Sequence, residues 1–126
     1  MSGFGNTSTN TIWTTVSIHG NTNRLYGEDW LHLLEHPEMA GHENLIKETV
    51  EKPTVVRERR HPDSCAFDRP WSTNPEGIRV LVQHDKETFL GGGVDGHVTA
   101  AFPINTKRYR NPRISPIIAA YPKNEP

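Results

Sequence analysis

The stretch from Asp29 to Pro53, DWLHLLEHPEMAGHENLIKETVEKP, constrains this chain most. It is the one long segment with clear helical character, and a proline divides it. Pro37 disfavours the α conformation at His36, so a helix that starts near Glu28 or Asp29 must end there. Trp30, Leu33 and Leu34 share one face of that helix at i, i+3, i+4 spacing. Pro37-Glu38 can then open a new turn. A second helix is expected from about His42 to Glu51, with Leu45, Ile46, Thr49 and Val50 inward, and Lys52-Pro53 ends it.

The segments around this stretch read as strands and turns. Residues 1–10 are small and polar, the composition of a disordered terminus. Thr11 to Ile18 is rich in β-branched residues and reads as a first strand, followed by a loop over His19 to Arg24. Thr54 to Arg60 predicts a short strand with Val55, Arg57 and Arg59 on one face and Val56, Glu58 and Arg60 on the other. Residues 61–77 read as a long polar loop, with Cys65-Ala66-Phe67 as a candidate strand inside it. Ile78 to His84 and Val98 to Phe102 are further strands, joined by a hairpin connection that contains Gly91-Gly92-Gly93. That triplet lacks the strand–loop–helix setting of a phosphate loop. Ser115 to Tyr121, flanked by Pro116 and Pro122, suits an edge strand or a docked tail. The order, a strand, two helices and then three or four strands, predicts an α+β fold with helices packed on one face of an antiparallel sheet. The expected domain runs over residues 11–105, with a basic tail over 106–126.

Composition narrows the chemistry. With 126 residues the chain suits one domain, and its 10 Gly and 10 Pro imply many turns. A net charge of -1 argues against non-specific nucleic-acid binding by the whole surface. The charge is uneven, however. Residues 26–52 carry seven acids against Lys47 and Lys52, whereas Arg57, Arg59 and Arg60, and later Lys107, Arg108, Arg110 and Arg113, form basic segments. Brought together, those segments would make a local anion site. The lone Cys65 excludes an internal disulfide and a multi-cysteine zinc cluster. No apolar run is long enough to span a membrane, and the N-terminus has no secretory signature. A cytoplasmic protein is expected, with delivery into a target cell as an alternative.

Two chemistries compete for the central stretch. His32-Leu33-Leu34-Glu35-His36 matches H-x-x-E-H, in which two helical histidines share zinc and the glutamate acts as base. Pro37 and the lack of a third ligand on another helix speak against it, and an exposed polar helix edge is the plain alternative. A metal-free reading needs a histidine as acid or base and arginines that hold a phosphate. RNA cleavage through its own 2′-OH needs only these parts. His32 or His36, the arginines of the Thr54–Arg60 strand, and Thr99 would supply them. His97 lies two residues before Thr99 and is the second candidate histidine. Tyr109 between Arg108 and Arg110 could stack on a base. For each arginine, a solvated surface charge is an equally good reading.

The pattern Trp30-Leu31-His32, His36-Pro37-Glu38, then Leu45-Ile46-x-Glu48-Thr49-Val50-x-x-Pro53, resembles the helical part of phage-associated nucleases of the barnase–EndoU–colicin–RelE fold. Val98-Thr99-Ala100-Ala101 is similar to that family's later strand motif, and Arg79 to Val82 to the strand before it. The resemblance covers about residues 28–105. It implies an α+β fold with N-terminal helices packed on a four-stranded, mainly antiparallel sheet, and a metal-independent endoribonuclease of toxin or phage-derived effector type with no cofactor. His32 would be the helix histidine, Thr99 the strand threonine, and His36 a brace at the helix junction. Taken together with the residue reading above, in which His97 and the basic tail lie outside the resemblance, the expected catalytic set is His32, Arg57, Arg69, Thr99 and His97. Arg60, Lys107, Arg108 and Tyr109 would bind substrate, and no metal is expected. The implied partners are an RNA substrate, with tRNA as one candidate, and an immunity or antitoxin protein. The alternative is a non-catalytic protein- or RNA-binding module of the same fold.

Overall fold

The computed structural model describes residues 10–59, 61–71, 74–104 and 117–120, of which 74–76 and 117–120 are described by their backbone alone. Seven strands form one mixed sheet: β1 (Thr11–Val16), β2 (Thr22–Tyr26), β3 (Val55–Glu58), β4 (Ser64–Trp71), β5 (Asn74–His84), β6 (Asp95–Pro103) and β7 (Ile117–Ala120). Their spatial order is β1-β2-β6-β5-β4-β3-β7. Helices α1 (Gly27–Leu33) and α2 (Glu43–Glu51) lie between β2 and β3 in sequence, joined through a 3-10 turn at Pro37–Met39.

This architecture corrects the expected four-stranded antiparallel sheet with helices at its N-terminus. Two strands precede the helices, and β2 pairs with β6 in parallel. The loop expected over His19 to Arg24 contains the start of β2. That strand alternates cleanly, with Asn23 and Leu25 buried and Arg24 and Tyr26 half-buried. Its inward asparagine, Asn23, is uncommon in strands, which hides the alternation from propensity. The loop expected over residues 61–77 is mostly the β4–β5 hairpin, with Phe67 opposite Val80 and Cys65 opposite Val82.

The helices follow their sequence signals more closely. The α1 helix stops at Leu33, three residues before His36, whose backbone is extended at φ -101° and ψ 94°. Glu28 and Asp29 in its first turn complement the helix dipole. In α2, Ile46, Thr49 and Val50 are buried and face the sheet. They join Leu25, Leu33, Met39, Val56, Phe67, Val80, Val82 and Val98 in a single core.

The sheet is irregular at two neighbouring points. The parallel pairing of β2 with β6 spans only Thr22–Arg24 against Asp95–His97. Beyond it the strands part, and α1 and the 3-10 turn pack along β6 instead. Near the start of that split, β6 carries a bulge: Val82 pairs with Val98 and Leu81 with Ala100, so Thr99 is the extra residue. No helix among the described residues is long and apolar enough to cross a membrane.

Candidate functional site

The split between β2 and β6 is where the polar chemistry gathers. His32 leaves the last turn of α1 into solvent, with its side chain 71% exposed and Nδ1 3.4 Å from Glu35 Oε2. It lines a recess of about 330 Å³ together with Leu33, Glu35, His36, Thr99 and Ala100. The bulge turns Thr99 out to this recess, where its hydroxyl donates to the Leu81 carbonyl at 3.3 Å. Helix and strand therefore bring together the two residues that the sequence singles out, His32 and Thr99.

His97 belongs to the same neighbourhood. Its ring lies 5.9 Å from that of Tyr26, and its backbone pairs in register with Arg24. Asp29, in the first turn of α1, feels the charges of both histidines. Burial pushes its carboxyl above its ordinary value; His97 and His32 pull it down, and the neighbouring Glu28 raises it. Carboxyls perturbed by burial and nearby charges cluster at functional sites. Arg24 adds a cation on the same strand register, 3.7 Å from Asp95. Sequence reasoning missed Asp29, Arg24 and Tyr26. Only the break in β2–β6 pairing places them around His97, and no local pattern announces it.

His32 also borders a second, larger recess of about 780 Å³, lined by Asn10, Ile12, Gly27, Glu28, Trp30, Leu31, His32 and Glu35. Leu31 and Ile12 are 70% and 44% exposed on it. The histidine thus sits on a ridge, with a polar recess on one side and an apolar wall on the other.

The expected arginines stand elsewhere. Arg57 donates through Nε to Asp68 at 3.0 Å, and Arg79 holds the same carboxylate at 2.8 and 2.9 Å. Arg57 lies on β3, three strand spacings from β6, which is roughly 14 Å. Arg69 reaches the C-terminal end of α2, donating to the Lys52 carbonyl at 2.5 Å and to Glu48 at 3.2 Å. Both are engaged in tying elements together rather than facing the His32 recess. Arg60, Lys107, Arg108 and Tyr109 lie outside the described residues.

The H-x-x-E-H spacing is not realised on one helix. Since α1 ends at Leu33, the His36 ring turns instead to Phe102, 5.8 Å away. Among the described residues no three His, Cys, Asp or Glu side chains converge as a metal site. Cys65 is fully buried, and burial pushes its thiol up to about 12, which makes it a poor nucleophile.

Searches of protein-family profiles, of curated proteins and of solved structures find no match to this chain.

Proposed function

We propose that the chain is a metal-independent endoribonuclease whose catalytic site is the β2–β6 split. The observation that carries this reading is the meeting of His32 and Thr99 in one recess, with Asp29 and His97 close enough for their charges to act on each other. In RNA the nucleophile is the substrate's own 2′-OH, so the protein needs no nucleophile. One imidazole takes the 2′-OH proton as the O2′–phosphorus bond forms. The other gives a proton to the departing 5′-oxygen as its bond to phosphorus breaks. Asp29, near enough to both imidazoles to feel their charge, would offset the positive charge that either ring takes on during the reaction. Arg24, in register with His97 and paired with the exposed Asp95, is the candidate cation for the phosphate, taking the part that the sequence assigned to Arg57 or Arg69. The apolar wall of Ile12, Trp30 and Leu31 offers a surface for a base next to His32.

On this reading the RNA substrate is met in a cytoplasm, and an immunity or antitoxin protein would have to cover the His32 ridge. The test is cleavage of a defined RNA in EDTA by the wild type and by His32→Ala and His97→Ala. Loss of cleavage in both folded variants, with 2′,3′-cyclic phosphate ends from the wild type, supports the proposal. Undiminished cleavage in both variants overturns the site. RNA binding without cleavage would instead favour a non-catalytic module on the same ridge.

A further inference from the structure

The interior of the sheet contains a second polar arrangement, independent of the proposed activity. Asn23, Gly96 and His84 form a row across β2, β6 and β5: Asn23 pairs with Gly96, and Gly96 pairs with His84. Asn23 is 0% and His84 2% exposed. A Cβ on Gly96 would lie 2.9 Å from His84 Cδ2 and 3.3 Å from Asn23 Oδ1, so both side chains lean over the glycine. Among the described residues, neither Asn23 Oδ1 nor His84 Nε2 has a hydrogen-bond partner.

The character of the two atoms follows from their other contacts. His84 Nδ1 is 3.0 Å from the Asp63 carbonyl, which can only accept, so Nδ1 carries the proton. In the neutral ring Nε2 is then a bare acceptor. Asn23 Nδ2 donates to the Asn21 carbonyl at 3.4 Å, which turns Oδ1, also an acceptor, toward Gly96. Two acceptors cannot bond to each other, and a buried acceptor left without a donor is costly. Whatever joins them must donate twice. An imidazole and an amide are two ligands, fewer than a protein-held metal ion takes, and no cluster of three His, Cys, Asp or Glu stands among the described residues.

We propose that one internal water molecule sits over Gly96 and donates one O–H to His84 Nε2 and the other to Asn23 Oδ1. Buried waters of this kind take polar partners that protein groups leave unsatisfied. This one ties β2 to β5 across β6, where the parallel β2–β6 pairing is only three residues long. It therefore braces the point at which the β1–β2 hairpin, and α1 after it, joins the rest of the sheet. Gly96 is required because any side chain there would strike the His84 ring.

A crystal structure of the full chain at neutral pH, with ¹⁵N NMR of the His84 ring, tests this. The expected result is a water within about 2.7–3.2 Å of both atoms, with Nδ1 protonated and Nε2 bare. Gly96→Ala should expel that water and lower the melting temperature. An Asn23 amide turned to donate directly to Nε2 would overturn the proposal, and so would a metal ion at the position or a proton on Nε2 in the neutral ring. The NMR measurement needs only the wild type, so a Gly96→Ala chain that fails to fold leaves the proposal open to refutation.

Discussion

Histidines occupy two contrasting regions of this molecule, and strand alternation separates them. His84 and His97 lie on adjacent strands, where the register pairs His84 with Gly96 and Gln83 with His97. One step along β6 thus changes the face of the sheet. On the core side, the His84 ring stacks flat on Phe89, with centroids 4.3 Å apart and planes 5° from parallel. His19 packs against Phe67 and Phe89 nearby. Burial lowers the affinity of both rings for a proton. On the other side, His97 and His32 both act on Asp29 through their charges, and His32 stands open to solvent. The same residue type therefore serves as neutral packing in one place and as candidate acid–base machinery in the other. Burial and the neighbouring carboxylate make the difference.

The contrast can be broken most decisively at the exposed pair. His32→Ala or His97→Ala should reduce RNA cleavage by about 10²–10⁴-fold while leaving the melting curve nearly unchanged. A large loss of stability instead would return these residues to a structural role. His84→Ala should show the reverse pattern. It removes the Phe89 stack and the hydrogen bond to the Asp63 carbonyl, at a cost of about 2–4 kcal/mol in denaturant unfolding. Residual activity should then track the folded fraction.

Acid sharpens the same comparison. His84 and His19 bind protons more weakly folded than unfolded, so their contribution to stability is complete above their ordinary value of 6.5. It should decline as pH falls below that value, because the unfolded chain takes up protons first. The urea midpoint between pH 7.5 and 5.5 checks this, and in His84→Ala the dependence should be shallower. The smallest effect is expected at Arg69. Its partner Glu48 is 48% exposed, and Arg69→Ala should cost about 1 kcal/mol or less and leave cleavage intact. A marked loss of cleavage would restore Arg69 as a phosphate clamp.

Local pattern made the helices legible, along with much of β1, β5 and β6. Trp30, Leu33 and Leu34 mark α1, and Ile46, Thr49 and Val50 mark the inner face of α2, because helical periodicity is written in consecutive residues. The β2 strand was hidden because one of its two inward positions, Asn23, is polar, as is the buried Asn21 just before it. They are buried through contacts remote in sequence: Asn21 Nδ2 donates to the Phe89 carbonyl at 2.7 Å, and the Val94 amide donates to Asn21 Oδ1 at 3.0 Å. The arginines show the same limit. Arg57 reads as a free surface charge until the β3–β4 register sets it beside Asp68. Within the site, His32 and Thr99 could be named from sequence, whereas Asp29 and Arg24 could not. Their role depends on where β2 leaves β6, and that is a property of the whole sheet.

The central claim is that the β2–β6 split performs acid–base cleavage of RNA. Its most direct test is the time course of cleavage of a single-stranded RNA by purified wild-type chain in excess EDTA, with the product ends identified. Cleavage that persists in EDTA and leaves 2′,3′-cyclic phosphate termini is the predicted result. Intact RNA at high enzyme concentration would contradict it, as would cleavage that EDTA abolishes.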